Sequence, residues 1–305
     1  SAAFSDLFCT VLKRKNPDGG DWGACEQWIE KKGREDVRLS SIPGEDQYRV
    51  VVVPGFFSSC FPEAPAFLEA HKPMKEQYGY QVDVMTIPND SSEDNAAKIA
   101  AYLKAEAAKD PKRKFILVGY SKGAPDIQVM LAKFPETRAL VAAFVSAAGA
   151  SGGSWLADAA PAMAEKYMNM YQISKSCQGD IAMGFRSLQR KVRSAFLGAY
   201  PDPLVPTYSI PAVAPPDRLS KSVAQTARVI MAYDRDQDGQ LTRGDAIVPG
   251  SKILGAAISD HFALALPFEK AQGSQFGAMM DKNRYPRGAL LEAIVRFVVA
   301  DLEKK

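Results

Sequence analysis

At 305 residues the chain is long enough to bury one large core, as an α/β domain with an insertion or as two domains. Its 38 basic and 35 acidic residues leave a net charge of +3 with no basic block, which argues against a nucleic-acid partner. No apolar run approaches the roughly 18 residues of a membrane span, and the start, SAAFSDLFCT, lacks the charged and apolar regions of a signal peptide, so the reading is a soluble, processed chain.

Residues 1–46 read as an N-terminal extension with little regular pattern. Cys9 and Cys25 bracket the polar loop KRKNPDGGDWGA, where a disulfide would restrain a segment with little core of its own. The four cysteines form no CxxC pair. The expectation is a secreted or periplasmic protein with a Cys9–Cys25 bridge; the alternative is four free thiols in a cytoplasmic enzyme.

From Tyr48 the pattern alternates between apolar runs and helical spacing, which marks a mostly parallel sheet flanked by helices. YRVVVV (48–53) predicts a strand, 64–78 a helix and YQVDVMTI (80–87) a second strand. Ser91-Ser92-Glu93-Asp94 supplies capping chemistry for a helix through Ala108. RKFILVGY (113–120) is an apolar strand covered on both faces, and Lys122–Phe134 has helical spacing with Pro125 in its first turn. ALVAAFVSA (139–147) predicts the next strand. After Gly149 the alternation stops, and the proline-rich YPDPLVPTYSIPAVAPP cannot be a central strand. Sheet pattern resumes in ARVIMAY (227–233) and ILGAAIS (253–259), and the last helix spans 288–302. The chain thus divides into a core first half (47–150), a cap or lid insertion (151–225) and a core second half (226–305).

Ser121 sits between strand and helix in GYSKG, where Gly119 and Gly123 omit β-carbons that would collide in so sharp a turn. This context resembles the nucleophile elbow of the α/β-hydrolase superfamily, with a lipase- and esterase-like leaning. A serine hydroxyl needs a base, and there are two histidines. His71, in EAHKPM, reads as a surface or helix-end residue. His261, after the final strand, fits the order Ser, acid, His that the resemblance implies. Asp234, Asp236, Asp238, Asp245 and Asp260 compete for the acid. GDAIVPGS resembles the D-x-x-V-P turn of many lipases and favours Asp245, with Asp234 the fallback and Asp260 too close to its neighbour's ring. The resemblance also implies oxyanion donors at the Lys122 and Phe56 N–H groups, although Pro54 replaces the histidine that often props the second loop. AGASGGSWLAD (148–158) resembles the G-x-P-H-x-G-S-x-x-A-D segment of bacterial lipases, matching at Gly153, Ser154, Ala157 and Asp158.

YDRDQDGQLTRGD carries a second pattern, D-x-D-x-D-G, in which Asp234, Asp236, Asp238 and the Gln240 carbonyl would ligate calcium. Position 12 of that loop is Asp245, so one carboxylate is asked to serve both sites. The leading expectation is an ester hydrolase acting on a small-molecule or lipid ester through an acyl-enzyme, needing no cofactor for chemistry, with a structural Ca²⁺ ion. The alternatives are acyl transfer or amide hydrolysis by the same residues, or a non-catalytic scaffold that binds a partner through calcium.

Overall fold

The computed structural model describes residues 1–159, 177–270 and 278–304. Six parallel strands form the main sheet in the order β2-β1-β3-β4-β5-β7: β1 Tyr48–Val53, β2 Val82–Val84, β3 Lys114–Tyr120, β4 Val141–Ala147, β5 Thr207–Ile210 and β7 Lys252–Ile253. A separate parallel pair joins β6 (Ala212–Val213) to β8 (Ala257–Ile258). Side chains alternate across a strand, and here both faces are covered. Val50 and Val52 of β1 join one core with Phe4, Phe8, Leu290 and Ile294, while Val51 and Val53 join another with Ile99, Leu103, Ile127 and Met130. That double burial explains why β1, β3 and β4 read as unbroken aliphatic runs. Each such side chain contributes about 1.5–3 kcal/mol through removal from water.

Helices α2 (Leu68–Tyr78) and Arg287–Leu302 cover one face, α3 (Ser92–Lys109) and α4 (Gly123–Lys133) the other. Ser91 caps α3 as expected, its hydroxyl accepting the Asp94 N–H. His71 lies on α2, half-buried, with Nε2 3.0 Å from the Ala66 carbonyl oxygen.

Three expectations are corrected. The N-terminal segment is not a patternless extension: α1 (Ala2–Arg14) buries Phe4, Phe8, Val11 and Leu12 against the last helix. Thr207–Ile210, inside the proline-rich passage, is a central strand between β4 and β7. It is short enough that its flanking Pro206 and Pro211 fall outside the strand itself. ARVIMAY is no strand: Lys221–Ile230 is a helix whose Val223, Ala227 and Ile230 are buried at helical spacing. The excursion between β4 and β5 therefore ends before residue 207, not at 225. Residues 160–176, within the expected cap or lid insertion, lie outside the described residues. After them, helices Ile181–Ser187 and Arg190–Ala199 lead towards β5.

Candidate active site

The turn from β3 to α4 forces Ser121 to φ 53°, a left-handed conformation that costs a non-glycine residue about 1–3 kcal/mol. Space explains the glycine two residues later. A β-carbon on Gly123 would lie 2.0 Å from the Val53 carbonyl oxygen, so only glycine lets α4 start against the end of β1. Gly55 makes the matching approach from the other side, since a β-carbon there would lie 2.6 Å from the Ser121 Cβ. The loop after β1 is thereby held against the serine, and Phe56, Phe57 and Ser121 line one cleft. Among the described residues, neither the Phe56 nor the Lys122 N–H meets an acceptor in the turns and caps.

His261 brings its ring to Ser121 at 2.8 Å from Nε2 to Oγ. Its Nδ1 lies 2.8 Å from Asp238 Oδ2. An ionised carboxylate only accepts, so Nδ1 carries the proton and Nε2 is left to accept the Ser121 hydroxyl. The imidazole is fixed by further contacts: its backbone N–H donates to the Asp238 carbonyl at 2.9 Å, and Tyr120 stacks on it while donating to the His261 carbonyl at 2.7 Å. Burial pushes the Tyr120 hydroxyl far above its ordinary pKa, so it stays a donor. Asp238 is fully buried, and its Oδ1 accepts the Gln240 and Leu241 N–H groups at 2.9 and 2.8 Å. These bonds close the Asp238-Gly239 turn, and the Ser154 hydroxyl braces it by donating to the Gln240 carbonyl at 2.8 Å.

The cleft over Ser121 encloses about 700 Å³ of empty space open to solvent. Its walls are mainly apolar: Phe56, Phe57, Phe185, Leu188, Leu241 and Phe262 among others. No family model matches the chain. No curated protein matches it either. Among solved structures, a metagenomic carboxyl esterase superposes with a TM-score of 0.86 at 29% identity, over 98% of this chain and 92% of the esterase. The chain belongs to the α/β-hydrolase superfamily, on its esterase- and lipase-like side. A Bacillus licheniformis lipase in mature form shares the fold, with a TM-score of 0.56 and 21% identity over 74% of this chain and 89% of the lipase. So does phospholipase PlaB from Legionella pneumophila, with a TM-score of 0.51 and 12% identity over 66% of this chain and 44% of PlaB.

In this α/β-hydrolase the carboxylate on the imidazole is Asp238, and the expectation for Asp245 is corrected. Asp245 points away from the ring: Oδ2 accepts the Thr242 hydroxyl at 2.7 Å, and Oδ1 is ion-paired to Arg190. Burial raises its pKa, opposed by those two partners. Asp234, the fallback, accepts the Asp236 N–H in an exposed turn. The D-x-x-V-P likeness of GDAIVPGS favours Asp245, but the fold turns that carboxylate to Thr242 and Arg190 and leaves the ring to Asp238. Asp260 turns away from the ring, accepting N–H groups from Phe262, Ala263 and the distant Ser220, and burial pushes its carboxyl up to about 6.

The calcium pattern is corrected as well. Asp238 faces His261, Asp236 pairs with Arg243 at 2.9 Å, and the Gln240 carbonyl accepts from Ser154, so the ligands do not converge. Among the described residues no group of three acidic, histidine or cysteine side chains could hold a metal. D-G is instead a tight hairpin turn, closed by the Gln237–Thr242 bridge. Of the lipase-like segment, Ser154 caps the short helix Trp155–Asp158, and Asp158 accepts the Arg190 N–H at 3.0 Å.

Proposed function

We propose that this α/β-hydrolase cleaves carboxylic esters through Ser121, His261 and Asp238 by way of an acyl-enzyme. The observation that carries the reading is the unbroken relay Ser121 Oγ, His261 Nε2, His261 Nδ1, Asp238 Oδ2, with both links at 2.8 Å. His261 takes the Ser121 proton as Oγ attacks the acyl carbonyl carbon. Asp238 holds the tautomer and stabilises the imidazolium that forms. The N–H groups of Phe56 and Lys122 receive the oxyanion, each worth about 10²–10³ in rate. Collapse expels the alcohol, which takes the proton from His261; water then repeats the cycle and frees the acid. Lys122 also anchors this corner through its buried ammonium, which donates to Asp126 Oδ1 at 2.7 Å.

The apolar walls of the cleft favour an uncharged small-molecule or lipid ester with an apolar acyl or aryl group. Phe185 and Leu188, with Ser154 and Leu156, make the excursion between β4 and β5 a cap over Ser121. The disulfides Cys9–Cys25 and Cys60–Cys177 support an exported enzyme, since such bridges persist in oxidising compartments. No helix among the described residues is long and apolar enough to cross a membrane.

A fluorophosphonate probe tests the nucleophile. Labelling of the wild type should vanish in Ser121→Ala and fall sharply in His261→Ala, and a nitrophenyl ester series should rise in kcat/KM with acyl length. Undiminished labelling of Ser121→Ala would sink the reading.

A further inference from the structure

With Pro54 where relatives often carry a propping histidine, the loop after β1 needs another brace. Phe57 adopts φ 63°, which a phenylalanine holds only under constraint. Its N–H donates to Asn89 Oδ1 at 2.8 Å. Asn89 follows β2 and is 1% exposed. Its Nδ2 donates to the Gln178 carbonyl at 3.0 Å, and its backbone N–H reaches the same oxygen at 2.8 Å. The side-chain oxygen therefore faces a donor and the nitrogen an acceptor, which fixes the amide's orientation. Gln178 returns to the starting loop: its N–H donates to Ser59 Oγ at 3.2 Å, and its neighbour Cys177 is bonded to Cys60. Phe57, Asn89, Gln178 and Ser59 thus form a closed ring of contacts around the turn that presents Phe56.

We propose that Asn89 is a positioning residue for the oxyanion site, holding the Phe56–Phe57 peptide so that the Phe56 N–H stays aimed at the carbonyl oxygen of a substrate on Ser121. This rests on the reading of Ser121 as nucleophile. A donor stabilises a developing charge only if it is fixed before the reaction, because reorientation at that moment consumes the gain. Asn89 supplies that fixity without touching substrate. Cys60–Cys177 keeps the Gln178 acceptor in place, so the ring is closed by a covalent bond on one side and an amide on the other.

The test uses the full chain with a nitrophenyl ester, and an aryl trifluoromethyl ketone whose adduct with Ser121 carries an oxyanion. Asn89→Leu keeps volume and loses the acceptor, and should lower kcat roughly tenfold to a hundredfold, leave KM within about twofold and weaken the ketone by the same factor as kcat. Asn89→Asp keeps the acceptor for Phe57 and should fall by roughly fivefold at most. A lowered Tm in Asn89→Leu with kcat and ketone affinity unchanged would overturn the proposal, as would an equal loss in Asn89→Asp. Should Asn89→Leu fail to fold, Cys60→Ser/Cys177→Ser opens the ring from the other side and must lower kcat with KM held; unchanged kcat overturns the proposal there too. Ser121→Ala run alongside separates the two claims. Activity that survives it removes the active-site reading itself, whereas activity lost there but indifferent to Asn89 removes only this inference.

Discussion

Ser121 leaves a strand paired on both sides within the six-stranded sheet, whereas Asp238 leaves a turn outside it, closed by the single bridge between Gln237 and Thr242. Ser121 is held by excluded volume: the Val53 carbonyl and the Ser121 side chain leave room only for Gly123 and Gly55. Asp238 is held by hydrogen bonds, from Gln240 and Leu241 N–H to Oδ1 and from Ser154 across to the turn. Steric confinement fails abruptly when an atom is added. A hydrogen-bonded turn loosens in steps as its donors are removed. His261 joins the two regimes, so the two ends of one relay should respond differently to mutation.

The largest expected effect lies at the rigid end, where Ser121→Ala should reduce kcat by about 10⁴-fold or more, with Tm little changed. Gly123→Ala should cost about 3 kcal/mol or prevent folding, read as a fall in the denaturation midpoint, because a methyl group there meets backbone. At the hydrogen-bonded end, Ser154→Ala removes one brace of the turn and should cost about 1 kcal/mol and a severalfold loss of kcat. If Ser154→Ala proved as damaging as Gly123→Ala, the contrast between the two ends would fail.

The acid segment should also show in the pH dependence of stability. Asp260 is pushed up to about 6, mainly by burial, from the ordinary 3.8. A folded-state pKa above the unfolded one favours the protonated form on folding. The contribution is therefore full below about pH 4 and lost as pH rises through 6, on the order of 3 kcal/mol across that window. Chemical denaturation from pH 4 to 7 should show a decline that flattens in Asp260→Asn. The smallest effect expected is from EDTA, which should alter neither activity nor Tm, since the acidic turn is engaged by His261 and Arg243.

Much of the first core half was legible because its strands are buried on both faces and its helices are capped by local chemistry. Tyr48–Val53 has the bounds its sequence predicts, and the strand, elbow and helix around Ser121 follow from the GYSKG turn. That the ring of His261 would meet Ser121, with a carboxylate from between them in the chain, was readable too. The identity of the acid was not, because the D-x-x-V-P likeness favours Asp245 and only the fold brings Asp238 to the ring; two elements also escaped their patterns. Thr207–Ile210 gains its strand from pairing with β4 and β7, a tertiary contact that no four-residue window displays. In ARVIMAY the aliphatics alternate closely enough to suggest a strand, yet burial follows Val223, Ala227 and Ile230, which includes a residue upstream of the run. Asn89 was invisible for a related reason: its oxygen acts on Phe57, 32 positions away. Of the two disulfides, Cys9–Cys25 could be expected from its short loop, while Cys60–Cys177 spans 117 positions and needs the fold.

The most direct test compares two carboxylates of one loop, Asp238 and Asp245. Asp238→Asn should lower kcat by about 10⁴-fold by offering the imidazole the wrong partner. Asp245→Asn, which weakens the contact to Arg190 and Thr242, should keep kcat within roughly tenfold of wild type. The opposite ranking, with Asp238→Asn active and Asp245→Asn dead, would contradict the account.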